Sequence, residues 1–160
     1  MAFDSRAFRD ALGSFPTGVA VVTALGTGRH MGMTVNSFVS VSLDPPLVLW
    51  CLDKKSNRYE AFTKAEGFTI SVLGADHREV SSVLAHQGEH RLEDIAMIPT
   101  ELGPPALADA LAVFECARET VHVCGDHAVL IGRVLRFARP RGGVPLIFFR
   151  GKYSALVPPS

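Results

Sequence analysis

Residues 32–57 read Gly32-Met-Thr-Val-Asn-Ser-Phe-Val-Ser-Val-Ser-Leu-Asp-Pro-Pro-Leu-Val-Leu-Trp-Cys-Leu-Asp-Lys-Lys-Ser-Asn57, and the reading of the whole chain turns on them. Met31–Ser42 sets Val35, Val39 and Val41 among hydroxyl residues, a composition that predicts one long strand. Pro45-Pro46 stops it, because proline cannot donate to a ladder. Leu47–Leu52 is then unbroken apolar sequence of strand length, which predicts burial on both faces. Asp53–Asn57 is polar and turns into a short helix. Strand thus follows strand with no long helix between them, the pattern of an antiparallel sheet.

The flanks agree. Upstream, Phe8, Ala11, Leu12 and Phe15 stand at helical spacing behind a cap at Asp4 or Ser5, and Gly13 with Pro16 ends the segment. Val19–Thr23 is β-branched and runs to the turn Gly26-Thr-Gly28. Downstream strands are expected at Phe68–Leu73, Val113–Val123, Ala128–Val134 and Leu146–Arg150, with Gly125-Asp126 as a hairpin turn. Asn57 with Glu60, and Asp76 with Glu79, resemble capping boxes for helices Asn57–Lys64 and Asp76–Ala85. Six to eight strands and two or three short helices favour a barrel or sandwich, in one domain spanning residues 1–160. Residues 86–105 and 139–144 read as surface loops, and 157–160 as a frayed tail.

Lys+Arg and Asp+Glu both number 16, so the formal net charge is zero, against the basic excess that a nucleic-acid binder needs. Cys51, Cys116 and Cys124 lie in largely apolar runs with no Cys-x-x-Cys, which reads as reduced, buried thiols. No basic-then-apolar leader is visible, and no apolar run reaches the ~18 residues of a membrane span. The expectation is a soluble cytoplasmic protein.

The usual nucleotide cradles are missing. Gly26-Thr-Gly28 begins a dinucleotide fingerprint without its third glycine, and no phosphate loop is present. Two segments still invite chemistry. Thr34-Val-Asn-Ser37, with Ser40 and Ser42, offers hydroxyls and an amide that either face water or meet a flat heterocycle bearing carbonyls and ring nitrogens. Asp53–Asn57 carries Lys54, Lys55 and Ser56 at a helix start, which reads either as a solvated turn or as a phosphate site. Cys116, His122, Cys124 and His127 have zinc-ligand chemistry, but the two cysteines would sit roughly 26 Å apart on a straight strand, so no metal is expected. Arg133, Arg136, Arg139 and Arg141 form a basic stretch that suits a solvated strand edge or a 2′-phosphate.

Four strings, in order, resemble the short-chain flavin reductase-like domain family. They are residues 8–23 (FRDALGSFPTGVAVVT), 32–57 (GMTVNSFVSVSLDPPLVLWCLDKKSN), 124–134 (CGDHAVLIGRV) and 145–153 (PLIFFRGKY), so the likeness covers about residues 3–156. The resemblance implies an antiparallel, Greek-key-like FMN-binding split β-barrel. It implies a homodimer that reduces FMN or FAD with NADH or NADPH, many members supplying reduced flavin to a separate monooxygenase. A non-catalytic flavin- or haem-binding module on the same barrel is the alternative, and a pyridoxine-phosphate-type oxidase fits the motifs less well. By position, Thr17, Thr34, Val35, Asn36 and Ser37 would meet the flavin ring, with Cys51, Leu52 and Asp53 along its other edge. Lys54, Lys55 and Ser56 would hold the phosphate, and Ser40 and Ser42 the ribityl chain or phosphate. Arg91, followed here by Leu92 where the family favours Phe, would add a flavin contact. His127 would face the nicotinamide, with Tyr153 beside it.

Overall fold

The computed structural model describes residues 2–88, 91–139 and 142–157. Its strands are β1 (Thr17–Gly18), β2 (Ala20–Leu25), β3 (His30–Val35), β4 (Val39–Leu43), β5 (Pro46–Asp53), β6 (Gly67–Val72), β7 (Met97–Ile98), β8 (Ala106–Leu107), β9 (Ala112–Cys124), β10 (His127–Ala138), β11 (Leu146–Phe149) and β12 (Lys152–Ala155). The α-helices are α1 (Ser5–Leu12), α2 (Tyr59–Lys64) and α3 (Arg78–Ala85).

Seven strands form one sheet in the order β3-β2-β6-β9-β10-β5-β4, antiparallel at every pairing. Its two outermost strands, β3 and β4, are joined by Asn36-Ser-Phe38 alone. In a flat sheet they would lie roughly 29 Å apart, and the four peptide steps from Val35 to Val39 reach about 14 Å at most. The sheet must therefore roll up, and β3 and β4 meet at an unpaired seam. Ser37 ties the link to β5: its hydroxyl accepts from the Cys51 amide at 2.8 Å and lies 3.4 Å from the Cys51 carbonyl, to which it donates. The result is a split barrel, as the resemblance implied.

The barrel interior is filled by Trp50, Phe62 and Phe68, with both phenyl rings edge-on to the indole at 5.3 and 5.7 Å. A second cluster, including Val21, Leu73, Leu84, Leu107 and Leu146, packs against Phe148 and Tyr153. Phe148 and Tyr153 belong to a separate three-stranded sheet, β1-β11-β12. Arg58 is 4% exposed. Its guanidinium donates to the carbonyls of Leu84, His86 and Gly88 at 3.4, 2.9 and 3.3 Å, tying the start of α2 to the end of α3. Burial lowers its pKa.

Several expectations need correction. Met31–Ser42 is two strands, because the chain must change sheet edge at 36–38. The main sheet's seven strands match the expected number, but five shorter strands bring the total among the described residues to twelve. Leu47–Leu52 alternates: Val48, Trp50 and Leu52 point inward while Leu47, Leu49 and Cys51 are half-buried on the outer face. The Asp4 cap holds, accepting from Arg6 and Ala7 at 2.9 and 3.0 Å. The other two boxes do not form. Helix α2 starts at Tyr59 without a side-chain cap, and before α3 the ring of His77 accepts from Gly74 at 3.0 Å. Helix α1 buries none of its stripe, leaving Phe8 and Leu12 at 50% and 58% exposure. Cys116 is buried, its thiol pushed up to about 12 chiefly by burial, and Cys51 is raised for the same reason; Cys124 is exposed. Of the proposed tail, 158–160 lie outside the described residues, as do 89–90 and 140–141 of the two loops.

Gly132 on β10 faces the core, where an added Cβ would come within 2.5 Å of the Phe68 ring and 2.9 Å of the Cys116 Cβ. Gly132→Val should destabilise the fold by about 1–3 kcal/mol. That lowers Tm by roughly 5 °C, measurable by calorimetry.

Candidate functional site

The seam loop carries the site. Asn36, exposed at its head, helps line two neighbouring clefts. The larger, of about 660 Å³, opens between α1 and the turn after β11 and is also lined by Thr17, Phe15 and Phe148. The smaller, of about 150 Å³, is lined by Thr34, Val35, Phe148 and Tyr153. Asn36 and Phe148 are common to both. The Thr17 hydroxyl is buried at the larger cleft and finds no hydrogen-bond partner within the protein. A buried polar group left unpaired costs about 1–3 kcal/mol; the other such atom among the described residues is the Trp50 indole nitrogen in the barrel interior.

The wall of the smaller cleft is a hydrogen-bonded chain. Thr34 Oγ1 donates to the Ser81 carbonyl at 2.8 Å, and the Ser81 hydroxyl meets the Tyr153 hydroxyl at 2.8 Å. The Arg78 guanidinium sits 5.8 Å from the centre of the Tyr153 ring, and Phe148 packs against the same ring at 5.7 Å. Tyr153 is thereby fixed from three sides.

The lysine bend adjoins the seam through the Ser37–Cys51 stitch and through Ser56 Oγ, 3.9 Å from Met33 Sδ. Its backbone amides are occupied: Lys54 donates to the Asp126 carbonyl, Lys55 to Asp53 Oδ1 and Ser56 to the Asp53 carbonyl. An anion at these three residues would therefore rely on their side chains. Lys54 Nζ is engaged by the Gly125 carbonyl at 2.6 Å, while Lys55 is exposed. The hairpin that holds the bend also carries His127, whose register partner on β5 is Asp53. His127 Nδ1 lies 2.8 Å from Asp126 Oδ1, and that contact holds the Asp126 carboxyl below its ordinary value. A carboxylate only accepts, so Nδ1 carries the proton and Nε2 remains for another partner.

The structure thus gathers Thr17, Thr34, Val35 and Asn36 at the clefts with Tyr153, and Ser37, Cys51, Leu52, Asp53, Lys54, Lys55 and Ser56 beside them with His127. His127 and Tyr153 are not brought to a common cleft. Ser40 and Ser42 lie on β4 and line neither cleft. Arg91 lines a different cleft, with Glu79 and Asp94. Arg133 forks onto Glu119 and Arg136 pairs with Glu101, as a solvated edge would; Arg141 lies outside the described residues. No three His, Cys, Asp or Glu side chains among the described residues are grouped to hold a metal ion. No helix among them is long and apolar enough to cross a membrane. Sequence reading assigned no role to Phe148, Ser81, Arg9 or Arg150; Arg9, Phe148 and Arg150 stand inside the quoted strings, while no local signal marks Ser81.

Comparison with known proteins agrees. The chain is 47% identical over 150 residues to the FMN reductase (NADH) SmoA of Agrobacterium fabrum, covering 94% of this chain and 85% of that protein. It is 40% identical to the reductase component of the flavin-dependent trigonelline monooxygenase of Acinetobacter baylyi, where 92% of this chain spans 48% of the relative. Among solved structures, the NADH:FAD oxidoreductase SgcE6 of Streptomyces globisporus, in complex with NAD and FAD fragments, superposes with a TM-score of 0.91 at 34% identity, covering 99% of this chain and 98% of that one. The flavin reductase-like domain matches residues 12–156, and the chain belongs to that family.

Proposed function

We propose that the chain is an NAD(P)H:flavin oxidoreductase that binds FMN or FAD at the seam and supplies reduced flavin to a separate monooxygenase. The observation that carries this reading is the unpartnered Thr17 hydroxyl in a cleft that Asn36 also lines, with the next residue, Ser37, bonded to Cys51 ahead of the lysine bend. An amide and a hydroxyl offer both donor and acceptor groups, as the edge of a flavin ring demands. Thr34, Val35 and Ser37 continue that edge and Cys51 and Asp53 back it, while Leu52, expected there too, is turned into the barrel interior; Lys55 and Ser56 suit the phosphate, with Lys54 available if it leaves Gly125.

Flavin, when bound, supplies a two-electron acceptor for the hydride. The chain's own part is binding, orientation and exclusion of water. Tyr153, held by Ser81, Arg78 and Phe148, gives a fixed apolar surface on the donor side. His127 holds its proton on Nδ1 against Asp126 and presents Nε2 to the nicotinamide or to water. Free thiols and nicotinamide use suit a reducing, cytoplasmic setting.

We also read the outer face of β5 and β10 as the homodimer contact. Val39, Leu49 and Ile131 lie side by side across β4, β5 and β10, and Cys51 and Val129 form the next row. This places a second apolar face on Leu47–Leu52 for a second copy to cover, which accounts for its unbroken apolar sequence.

Loss of NADH absorbance that depends on added FMN or FAD tests the activity; a protein that binds flavin without consuming NADH would be the non-catalytic module instead. Thr17→Val should leave Tm unchanged or raised while weakening flavin binding about fivefold, the size of one net hydrogen bond, read by fluorescence titration. His127→Ala should slow turnover by less than the roughly 100-fold of a lost general acid–base, with flavin affinity intact. Leu49→Lys should convert the dimer to monomer in light scattering.

A further inference from the structure

We propose that Ser81, buried in α3, is a positioning residue for flavin reduction, its hydroxyl holding the Tyr153 ring at one angle in the wall of the smaller cleft. The inference rests on the flavin reductase reading above and gives a role to a residue that lies outside all four quoted strings.

Ser81 stands apart from the other buried polar side chains. Five are buried among the described residues: Thr23, Arg58, Thr69, Ser71 and Ser81. The first four bond backbone. Thr23 and Thr69 donate to the carbonyls of Pro105 and Pro104 at 2.6 and 2.7 Å, and Ser71 accepts from the Leu107 amide at 3.0 Å. Arg58 donates to carbonyls at and beyond the end of α3. Bonds of that kind fasten loops to the barrel. Ser81, with none of its surface exposed, bonds a side chain instead, and that side chain lines the cleft. Serine is a weaker helix former than alanine, so its hydroxyl contributes through its partner and not to the helix.

One face of α3 serves the cleft. Arg78, Ser81 and Ala85 stand at i, i+3 and i+7. The Arg78 guanidinium lies 5.8 Å from the centre of the Tyr153 ring, the Ser81 hydroxyl 2.8 Å from the Tyr153 hydroxyl, and Ala85 lines the cleft itself. Tyr153 depends on this hold. Its strand β12 pairs only with β11, at the edge of the three-stranded sheet, and the other three residues of β12 are exposed. Phe148 packs against the ring from β11, whereas the hydroxyl bond pins the end farthest from the backbone, where a small rotation moves the ring most. A surface held at one angle orients a reactant laid against it. The Ser81 carbonyl serves a second wall: it takes the one proton of Thr34 Oγ1 at 2.8 Å, so that hydroxyl turns only lone pairs to the cleft. The two duties are separable, because Ser81→Ala removes the hydroxyl and keeps the carbonyl.

The test is a double-variant cycle. Wild type, Ser81→Ala, Tyr153→Phe and the double variant are compared for NADH consumption with FMN, and for FMN affinity by fluorescence titration. Each single variant should lower kcat/KM for NADH about fivefold, the size of one net hydrogen bond, with the Kd for FMN unchanged because Thr34 keeps its partner. The double variant should fall no further than either single one, since both remove the same bond. The chain has two tyrosines, Tyr59 and Tyr153, so fluorotyrosine labelling gives two fluorine NMR resonances, of which Tyr153→Phe deletes one. Ser81→Ala should shift the Tyr153 resonance and leave that of Tyr59 in place. An unchanged kcat/KM, losses that multiply in the double variant, an unmoved Tyr153 resonance, or a lowered Tm without kinetic loss overturns the proposal while an active wild type leaves the reductase reading standing. A wild type that consumes no NADH with added flavin overturns that reading, and this proposal with it.

Discussion

A three-residue link between the two edges of a seven-stranded sheet is the constraint from which the rest of the molecule follows. Asn36-Ser-Phe38 is too short to cross a flat sheet, so the sheet must close on itself, yet β3 and β4 do not pair. Unpaired strand edges carry free amides and carbonyls. Here one serine hydroxyl fastens the link to β5, bonding the backbone N–H and C=O of Cys51. The stitch leaves Asn36 beside the seam with its side chain exposed, at the meeting point of both clefts. Closure of the barrel and display of the binding loop are one event.

Much of this was legible in the sequence. Apolar periodicity marks the strands of the large sheet, and the Gly125-Asp126 hairpin stands where its turn residues put it. What stayed hidden is long-range. Nothing local says that Met31–Ser42 must break at 36–38, because the break is imposed by sheet order. Nor do Asn57 and Asp76, adequate caps in isolation, reveal that the backbone around Arg58 and His77 takes other partners. Leu47–Leu52 differs again: its apolar run predicted burial on both faces, but only Val48, Trp50 and Leu52 are buried and the other face is half-covered.

The site divides the same way. Thr17, Asn36 and the lysine bend stand in recognisable strings, and the fold brings them together. Arg9 and Arg150 are 141 positions apart and line one cleft, where the Arg150 amide donates to the Gly13 carbonyl. The amides of Lys54, Lys55 and Ser56 in the bend, open on paper, bond Asp53 and Asp126. Arg58 is a further case: a buried cation held by three carbonyls makes α2, the end of α3 and the bend one mechanical unit.

Asn36 and Phe148 form a partition one side chain thick between the two clefts. Occupants on either side of it cannot be independent. A shift of either side chain that widens the larger opening narrows or reshapes the smaller one, so the volumes of the two are linked through a single wall.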